Sequence, residues 1–283
     1  MKIYENSTKL EDIRKLQAIF GELNYLNTVS RPDISYSVNM IARRLHDGSK
    51  EVIRAAKRIM AYVYSTRNLG LEIKKQKEEK WLLEVYCDSS FADAALDRYK
   101  STGGYIISFN KTAIAWKTRK LKWVCSSSSQ AEYLALYLAA KEAVSLGYLI
   151  EDYFNEEIFP IKIYCDNLAV ITTIMRDMPT ELNKFLSTKY YITSQWQKEG
   201  LIDVVYVPSK HNIADMFTKS LGCNLFESLR GCVLKERRSI RDDKKTGRSI
   251  GTGIEPNNNT NAQVERNHDK TDLKEVGLDN VIG

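Results

Sequence analysis

The sequence predicts an α/β fold in which parallel strands are joined by a long crossover helix, with a helical segment in front. Three observations predict it. Residues 82–93 read L-L-E-V-Y-C-D-S-S-F-A-D and residues 161–167 read I-K-I-Y-C-D-N, two alternating runs that close on the same Tyr-Cys-Asp. Period-two alternation marks a half-buried strand. Residues 128–153 between them carry a helical pattern, and a strand–helix–strand crossover makes its two strands parallel. The third observation is the helical spacing of apolar residues over 8–66.

Taken in order, Leu10, Ile13, Leu16, Ile19, Phe20, Leu23 and Leu26 give the first helix its apolar stripe. R-P-D-I at 31–34 starts a second, with Pro32 suited to a first turn. Ser49 is placed to cap a third, whose inner face is Val52, Ala56, Ile59 and Val63 and whose outer face carries Lys50, Arg54, Lys57 and Arg58. A polar Lys/Glu-rich linker is expected over 68–80. Strand 82–88 follows, then 103–109 and 113–116, hinged at Asn110-Lys111 as an antiparallel turn. The central helix repeats Ala131, Ala135, Ala139 and Ala143 every four residues, a small-residue stripe that lets a helix lie close on a sheet. Helix 183–200, strand 202–208 and a short helix over 211–219 complete the pattern. From about 235 onward the chain is polar, and it has no aromatic residue after Phe226. Such a stretch buries no core and is expected to be a disordered tail.

Charge is uneven. Residues 1–75 hold 14 basic and 8 acidic residues, and the rest of the chain is neutral. A basic N-terminal quarter suits a segment that tracks a phosphate backbone, through Arg54, Lys57 and Arg58. The segment W-K-T-R-K-L-K-W, 116–123, sets Lys117, Arg119, Lys120 and Lys122 between two tryptophans. That pattern grips a nucleic-acid strand by charge and stacking; with equal weight, it protects a hairpin edge from aggregation. Five cysteines without C-x-x-C spacing point to buried free thiols in a reducing compartment. Three histidines, 46, 211 and 268, form no zinc-binding cluster with them. With no signal peptide and no apolar run near the ~20 residues that span a bilayer, the chain is expected to be intracellular and soluble, without a membrane partner.

Asp88 and Asp166 end two strands and point the same way, into the crevice where open α/β sheets bind ligands. Neither has a Lys neighbour in sequence, which indicates a metal site. Glu132 and Asp215 each have a structural reading. Ser129-x-x-Glu132 is a capping box, and Asp215 in a first helical turn is a favourable dipole partner.

The order strand–Asp, hairpin, helix–Glu, strand–Asp, strand, helix–Asp resembles ribonuclease H. More closely, the chain resembles the C-terminal end of the Pol polyprotein of copia-type LTR retrotransposons. The strings that carry the resemblance are R-P-D-I-S-Y-S-V-N (31–39), A-A-K-R-I-M-A-Y-V (55–63), D-R-Y-K-S-T-G-G-Y (97–105), S-S-S-S-Q-A-E-Y (126–133), I-Y-C-D-N (163–167), Y-V-P (206–208) and N-I-A-D-M-F-T-K (212–219). The resemblance implies a five-stranded mixed sheet with flanking helices over 80–225, a thumb/connection-like helical segment over 1–75, and the tail over 235–283. It implies Asp88, Glu132, Asp166 and Asp215 as catalytic acids holding two Mg²⁺ ions, with Mn²⁺ as a substitute. The expected partition has Asp88 bridging both ions, Glu132 and Asp166 on one, and Asp215 on the other. Mutual repulsion is expected to raise the pKa of some of these acids. The substrate would be the RNA strand of an RNA/DNA hybrid, the partners the remaining Pol domains, and the setting the cytoplasm, a virus-like particle if the element is intact, or the nucleus.

Two departures stand out: Tyr99 lengthens a loop usually read D-R-K-S-T, and S-T-K-Y-Y-I at 187–192 replaces a T-K-H-I-D string. The Tyr-x-Asp-Asp turn of a polymerase palm is absent, so no DNA synthesis is expected of this chain alone. The alternative class is a decayed transposon fragment that at most binds nucleic acid. An integrase or transposase of similar fold fits the acid order and the hairpin less well.

Overall fold

The computed structural model describes residues 2–46, 48–73, 81–91, 99–122, 124–176 and 187–237. In chain order these form α1 (Lys2–Val29), α2 (Ser35–Ala42), α3 (Lys50–Ser65), β1 (Leu69–Leu71), β2 (Leu83–Ser90), β3 (Thr102–Phe109) and β4 (Thr112–Lys120). There follow α4 (Ser128–Phe154), β5 (Ile161–Cys165), α5 (Leu168–Arg176), α6 (Ser187–Lys198), β6 (Ile202–Tyr206), α7 (Cys223–Val233) and β7 (Leu234–Glu236). Most of the expected tail, 238–283, lies outside the described residues. Its first residues do not behave as a tail, since β7 pairs antiparallel with β1 across the expected linker.

One five-stranded sheet has the order β4-β3-β2-β5-β6. β2, β3 and β4 form an antiparallel meander, and β5 and β6 continue it in parallel with β2. This mixed sheet with helices against it is the ribonuclease H-like fold that the sequence predicts. Asn110 and Lys111 both have positive φ, 48° and 64°, the primed-turn geometry that matches strand twist in a tight hairpin. Tyr99, the inserted loop residue, also takes a left-handed φ of 55°.

The core lies between the sheet and α4. Val85, Cys87, Ile107, Ile161, Ile163 and Cys165 are buried on the face that meets Ala131, Ala135, Ala139 and Ala143. The small-residue stripe extends one step further, to Gly147, where an added Cβ would stand 2.8 Å from Phe159 and 2.9 Å from Ile161. Each buried Leu or Ile here contributes about 1.5–3 kcal/mol. α4 has the length and composition of a spanning helix, contrary to the sequence expectation, yet over half of its apolar stretch is buried against the protein's own sheet. Tyr190, in the departing 187–192 string, is fully buried and donates to the Thr173 carbonyl at 2.6 Å, while Tyr133 donates to its carbonyl. A polar pair has thus been exchanged for core volume.

Helices α1–α3 enclose a second core of Leu16, Leu23, Ile34, Val38, Ile41, Val52, Ala56 and Ile59. They and the sheet belong to one compact unit, Met1–Arg237. Asn39 donates to the Thr118 carbonyl, Arg43 to Thr102 Oγ1, and Trp116 Nε1 to the Asn27 carbonyl at 2.7 Å. At the centre of the bundle Arg31 makes a two-pronged ion pair with buried Asp33, which also accepts from Tyr62, and Arg230 of α7 donates to the Tyr62 hydroxyl.

Candidate active site

Asp88 sits within β2 opposite Gly104 of β3 and is fully buried. Asp166 directly follows β5, one strand over, and its Oδ2 accepts from Ser209 at 2.7 Å. Asp215 comes from a short 3-10 helical turn, Ile213–Phe217, within the short helix expected over 211–219. Asn212 fixes that turn. Its side chain donates to the Cys87 carbonyl at 3.0 Å and accepts from Ala214 N at 3.1 Å, which ties the turn to β2. Thr118 on β4 also donates to the Phe217 carbonyl. Through these contacts Asp88, Asp166 and Asp215 bring carboxylate oxygens within 4.8 Å of one another.

Glu132 reaches the site from the first turns of α4. The capping box expected of it belongs to other residues. Ser127 is the N-cap, accepting from Gln130 N, and the Gln130 side chain accepts from Ser126 N. Released from capping, Glu132 forms a second group with Asp166 and the Cys165 thiol, again with donor atoms within 4.8 Å of one another. Asp166 is therefore the acid common to both groups. Glu132 is only 9% exposed, and its Oε2 has no hydrogen-bond partner among the described residues.

Two residues that sequence reading passed over complete the site. Thr218 donates a hydrogen bond to Asp88 Oδ2. Lys219 Nζ stands 2.9 Å from Asp215 and 3.2 Å from Asp88, so Asp88, which looked cation-free in sequence, shares an ammonium with Asp215. The available signal was the Asp215–Lys219 spacing of four, which places both on one side of a single turn. Although burial works against its charge, Asp88 and Asp215 hold the Lys219 pKa above its ordinary value. Burial is the larger cause of the carboxylate shifts as well, ahead of the mutual repulsion expected from sequence. It lifts Asp88 to about 7 against the pull of Lys219, and Glu132 to about 9 with help from Asp88 and Cys165. A buried carboxylate with an unpartnered oxygen, beside two more acids, fits a cation: hard divalent ions take carboxylate oxygens and waters.

The basic residues divide. Arg54, Lys57 and Arg58 are exposed on α3. Arg58 also lines a cleft of about 560 Å³ with Arg44, Tyr62 and Lys219, which the four site acids themselves do not line. Lys117 and Lys122 are exposed, and Arg119 and Lys120 half-buried, on or just past the edge strand β4. The stacking expected of the tryptophans does not hold for Trp116, whose indole N–H is used by Asn27 and whose ring packs against the small core around Phe217; Trp123 lies outside the described residues. His211 is exposed in a 3-10 turn.

No family model matches the chain. Its sequence is 31% identical over 223 residues, 79% of the chain, to the retrovirus-related Pol polyprotein from transposon RE1 of Arabidopsis thaliana. The chain belongs to the family of retrovirus-related Pol polyproteins. A tobacco relative, from transposon TNT 1-94, is 28% identical over 73% of the chain. This Pol-related chain spans about 15% of the length of each of these relatives. Among solved structures, it is similar to the N-terminal ribonuclease H domain of a Mycobacterium tuberculosis protein. That match has a TM-score of 0.37 and 15% identity, and covers 54% of this chain and 98% of that one.

Proposed function

We propose that this chain is a metal-dependent ribonuclease H that cuts the RNA strand of RNA/DNA hybrids within a retrotransposon Pol machinery. The observation that carries the proposal is the convergence of Asp88, Asp166 and Asp215, with Glu132 joined to them through Asp166. Four acids from four elements, β2, α4, the end of β5 and the Ile213–Phe217 turn, meet beside the central strands of the sheet, which structural economy alone does not require.

In this reading Asp88, Asp166 and Asp215 hold one Mg²⁺, and Glu132 with Asp166 holds a second. Held by these acids, such ions would supply activation of a water and charge stabilisation at the leaving 3′ oxygen. The chain's own residues supply the rest. Asn212 and Thr118 pin the Asp215 turn against β2 and β4. Ser209 orients Asp166, and Thr218 orients Asp88. Lys219 must yield its two carboxylates as the site fills. Arg54, Lys57 and Arg58 on α3, with Arg44 and Lys219 along the cleft, carry charge from the bundle to the acids, so a hybrid lying across both is held by its phosphates. Lys117, Arg119, Lys120 and Lys122 would meet the hybrid by charge, without Trp116 as a stacking partner. Selection of RNA would rest on groove shape and 2′-hydroxyl contacts. We further propose residues 1–75 as the hybrid-holding segment, 80–225 as the nuclease, the other Pol domains as partners, and an intracellular setting.

A second reading, a remnant that binds nucleic acid without cutting it, is favoured by Lys219, which already neutralises Asp88 and Asp215. Cleavage of an end-labelled RNA/DNA hybrid with and without Mg²⁺ decides between them. RNA fragments only in Mg²⁺ support the nuclease, and intact RNA retained on the protein supports the remnant.

A further inference from the structure

The Glu132, Cys165 and Asp166 group differs in kind from the three aspartates, because one of its donors is sulfur. Oxygen-only sites suit Mg²⁺, whereas a thiolate selects softer ions such as zinc. Cys165 is the last residue of β5 and completely buried, with its thiol turned to the same side as Glu132. Behind it lies the Cys87 thiol of neighbouring β2, which donates to the Tyr164 carbonyl at 3.6 Å. Asp166, half-exposed, opens the group to solvent.

We propose that Glu132, Cys165 and Asp166 form a binding site for a borderline-soft divalent cation of the Zn²⁺ class, and that filling it blocks hydrolysis. Three arguments carry this. First, three protein donors with a fourth position toward solvent is a recurrent zinc arrangement. Second, bonds of about 2.0–2.3 Å set tetrahedral donors roughly 3.3–3.8 Å apart, so a group already within 4.8 Å needs to close by no more than about 1–1.5 Å. Third, Glu132 belongs to this group, and its buried Oε2 has no hydrogen-bond partner among the described residues. Binding releases the Cys165 thiol proton to solvent. It also takes Glu132 and Asp166 away from the hard cations, so Zn²⁺ becomes an inhibitor that added Mg²⁺ does not readily displace. The inhibitory half rests on the nuclease reading; the binding half does not.

The test uses the full chain carrying Cys223→Ser and Cys232→Ser, which removes both exposed thiols. Co²⁺ is titrated as a spectroscopic probe and Zn²⁺ competed against it. The expected result is a thiolate-to-cobalt charge-transfer absorption that Zn²⁺ abolishes. Cys165→Ser removes the band and weakens Zn²⁺ at least about tenfold, and Glu132→Gln, which leaves every thiol in place, weakens Zn²⁺ similarly. Circular dichroism confirms that each variant is folded; if Cys165→Ser is not, Cys165→Ala and Glu132→Gln carry the test. No band in the parent, or a band that survives loss of Cys165, overturns the site. Zn²⁺ inhibition, scored against each variant's own rate in Mg²⁺, should shift to at least about tenfold higher concentration in the Cys165 variant. A parent that binds Co²⁺ through Cys165 but never cuts a hybrid keeps the site and sinks the nuclease reading. A parent that cuts but shows no band does the reverse.

Discussion

Gly104→Ala tests how the acids are held together. Gly104 pairs with Asp88 on one side and Thr118 on the other, and faces the turn that carries Asp215. A Cβ there would stand 2.5 Å from Phe217 Cβ, 2.9 Å from Thr218 Cγ2 and 3.2 Å from the Phe217 carbonyl carbon. Carbon atoms pack at about 3.5–4.0 Å, so the turn must retreat by about 1 Å. It is attached to Asp215 above and to Thr218 and Lys219 below, so all three leave their places around Asp88. Overpacking of this kind costs about 1–3 kcal/mol, or roughly 2–12 °C in Tm for a chain of this size. An ångström of misplacement costs about 10²-fold in rate. The expected result is a folded protein that cuts a hybrid about 10²-fold more slowly in saturating Mg²⁺. Gly21→Ala, in α1 with nothing within 4 Å of the added carbon, is the control and should cut at the parent rate. Parental cleavage by Gly104→Ala would refute the placement of Asp215.

Without metal, the folded chain keeps protons on Asp88 up to about pH 7 and on Glu132 up to about pH 9, where unfolded carboxylates released theirs near pH 4. The folded state binds more protons, so its stability falls as pH rises from about 4 toward those values. The rise of the Asp88 pKa from its ordinary 3.8 to about 7 corresponds to ~4 kcal/mol. Urea melts in EDTA should show that decline between pH 5 and 9, reduced in Asp88→Asn and in Glu132→Gln; a flat profile contradicts the burial argument. Lys219→Met removes the ammonium from two carboxylates while leaving the stem volume. It should lower metal-free stability by roughly 1–2 kcal/mol, discounted for its partial exposure, and enlarge the stabilisation by Mg²⁺ in thermal melts. An unchanged Mg²⁺ response would show that Lys219 does not compete for the acids. Reversing Arg54, Lys57 and Arg58 to Glu should weaken hybrid binding and flatten its dependence on log salt in filter-binding titrations. An unaltered salt slope would remove α3 from the binding surface.

The sheet and two of its acids are legible in sequence because alternation and burial agree in β2 and β5, and a parallel pair leaves their ends side by side. Other parts are hidden for identifiable reasons. The pairing of β1 with β7 joins three-residue strands far apart in sequence, with too little length for a pattern. α5 is short and capped by Asn167, whose side chain accepts from Ala169 and Val170 N, so Asp-Asn reads as a motif when it is also a helix start. Overlapping frames in S-S-S-S-Q-A-E let Ser129…Glu132 look like the cap that Ser127…Gln130 makes. Trp116 reads as a stacking platform until α1 is placed against it. Lys219 and Gly104 owe their importance to the 3-10 turn, which folds back on β2 and β3 with no periodic signal.

The most direct measurement is cleavage of a hybrid whose RNA strand is internally labelled, by wild-type chain and by Asp88→Asn, each shown folded by circular dichroism. Matched duplex DNA and single-stranded RNA run beside it, in Mg²⁺, Mn²⁺ and EDTA. The wild-type chain should cut only the hybrid RNA, internally and only with metal. Asp88→Asn should bind the hybrid yet lose at least about 10²–10³ in rate. Intact hybrid RNA with the folded wild-type chain in either metal, or undiminished cleavage by Asp88→Asn, would contradict the claim that these acids are a ribonuclease H centre.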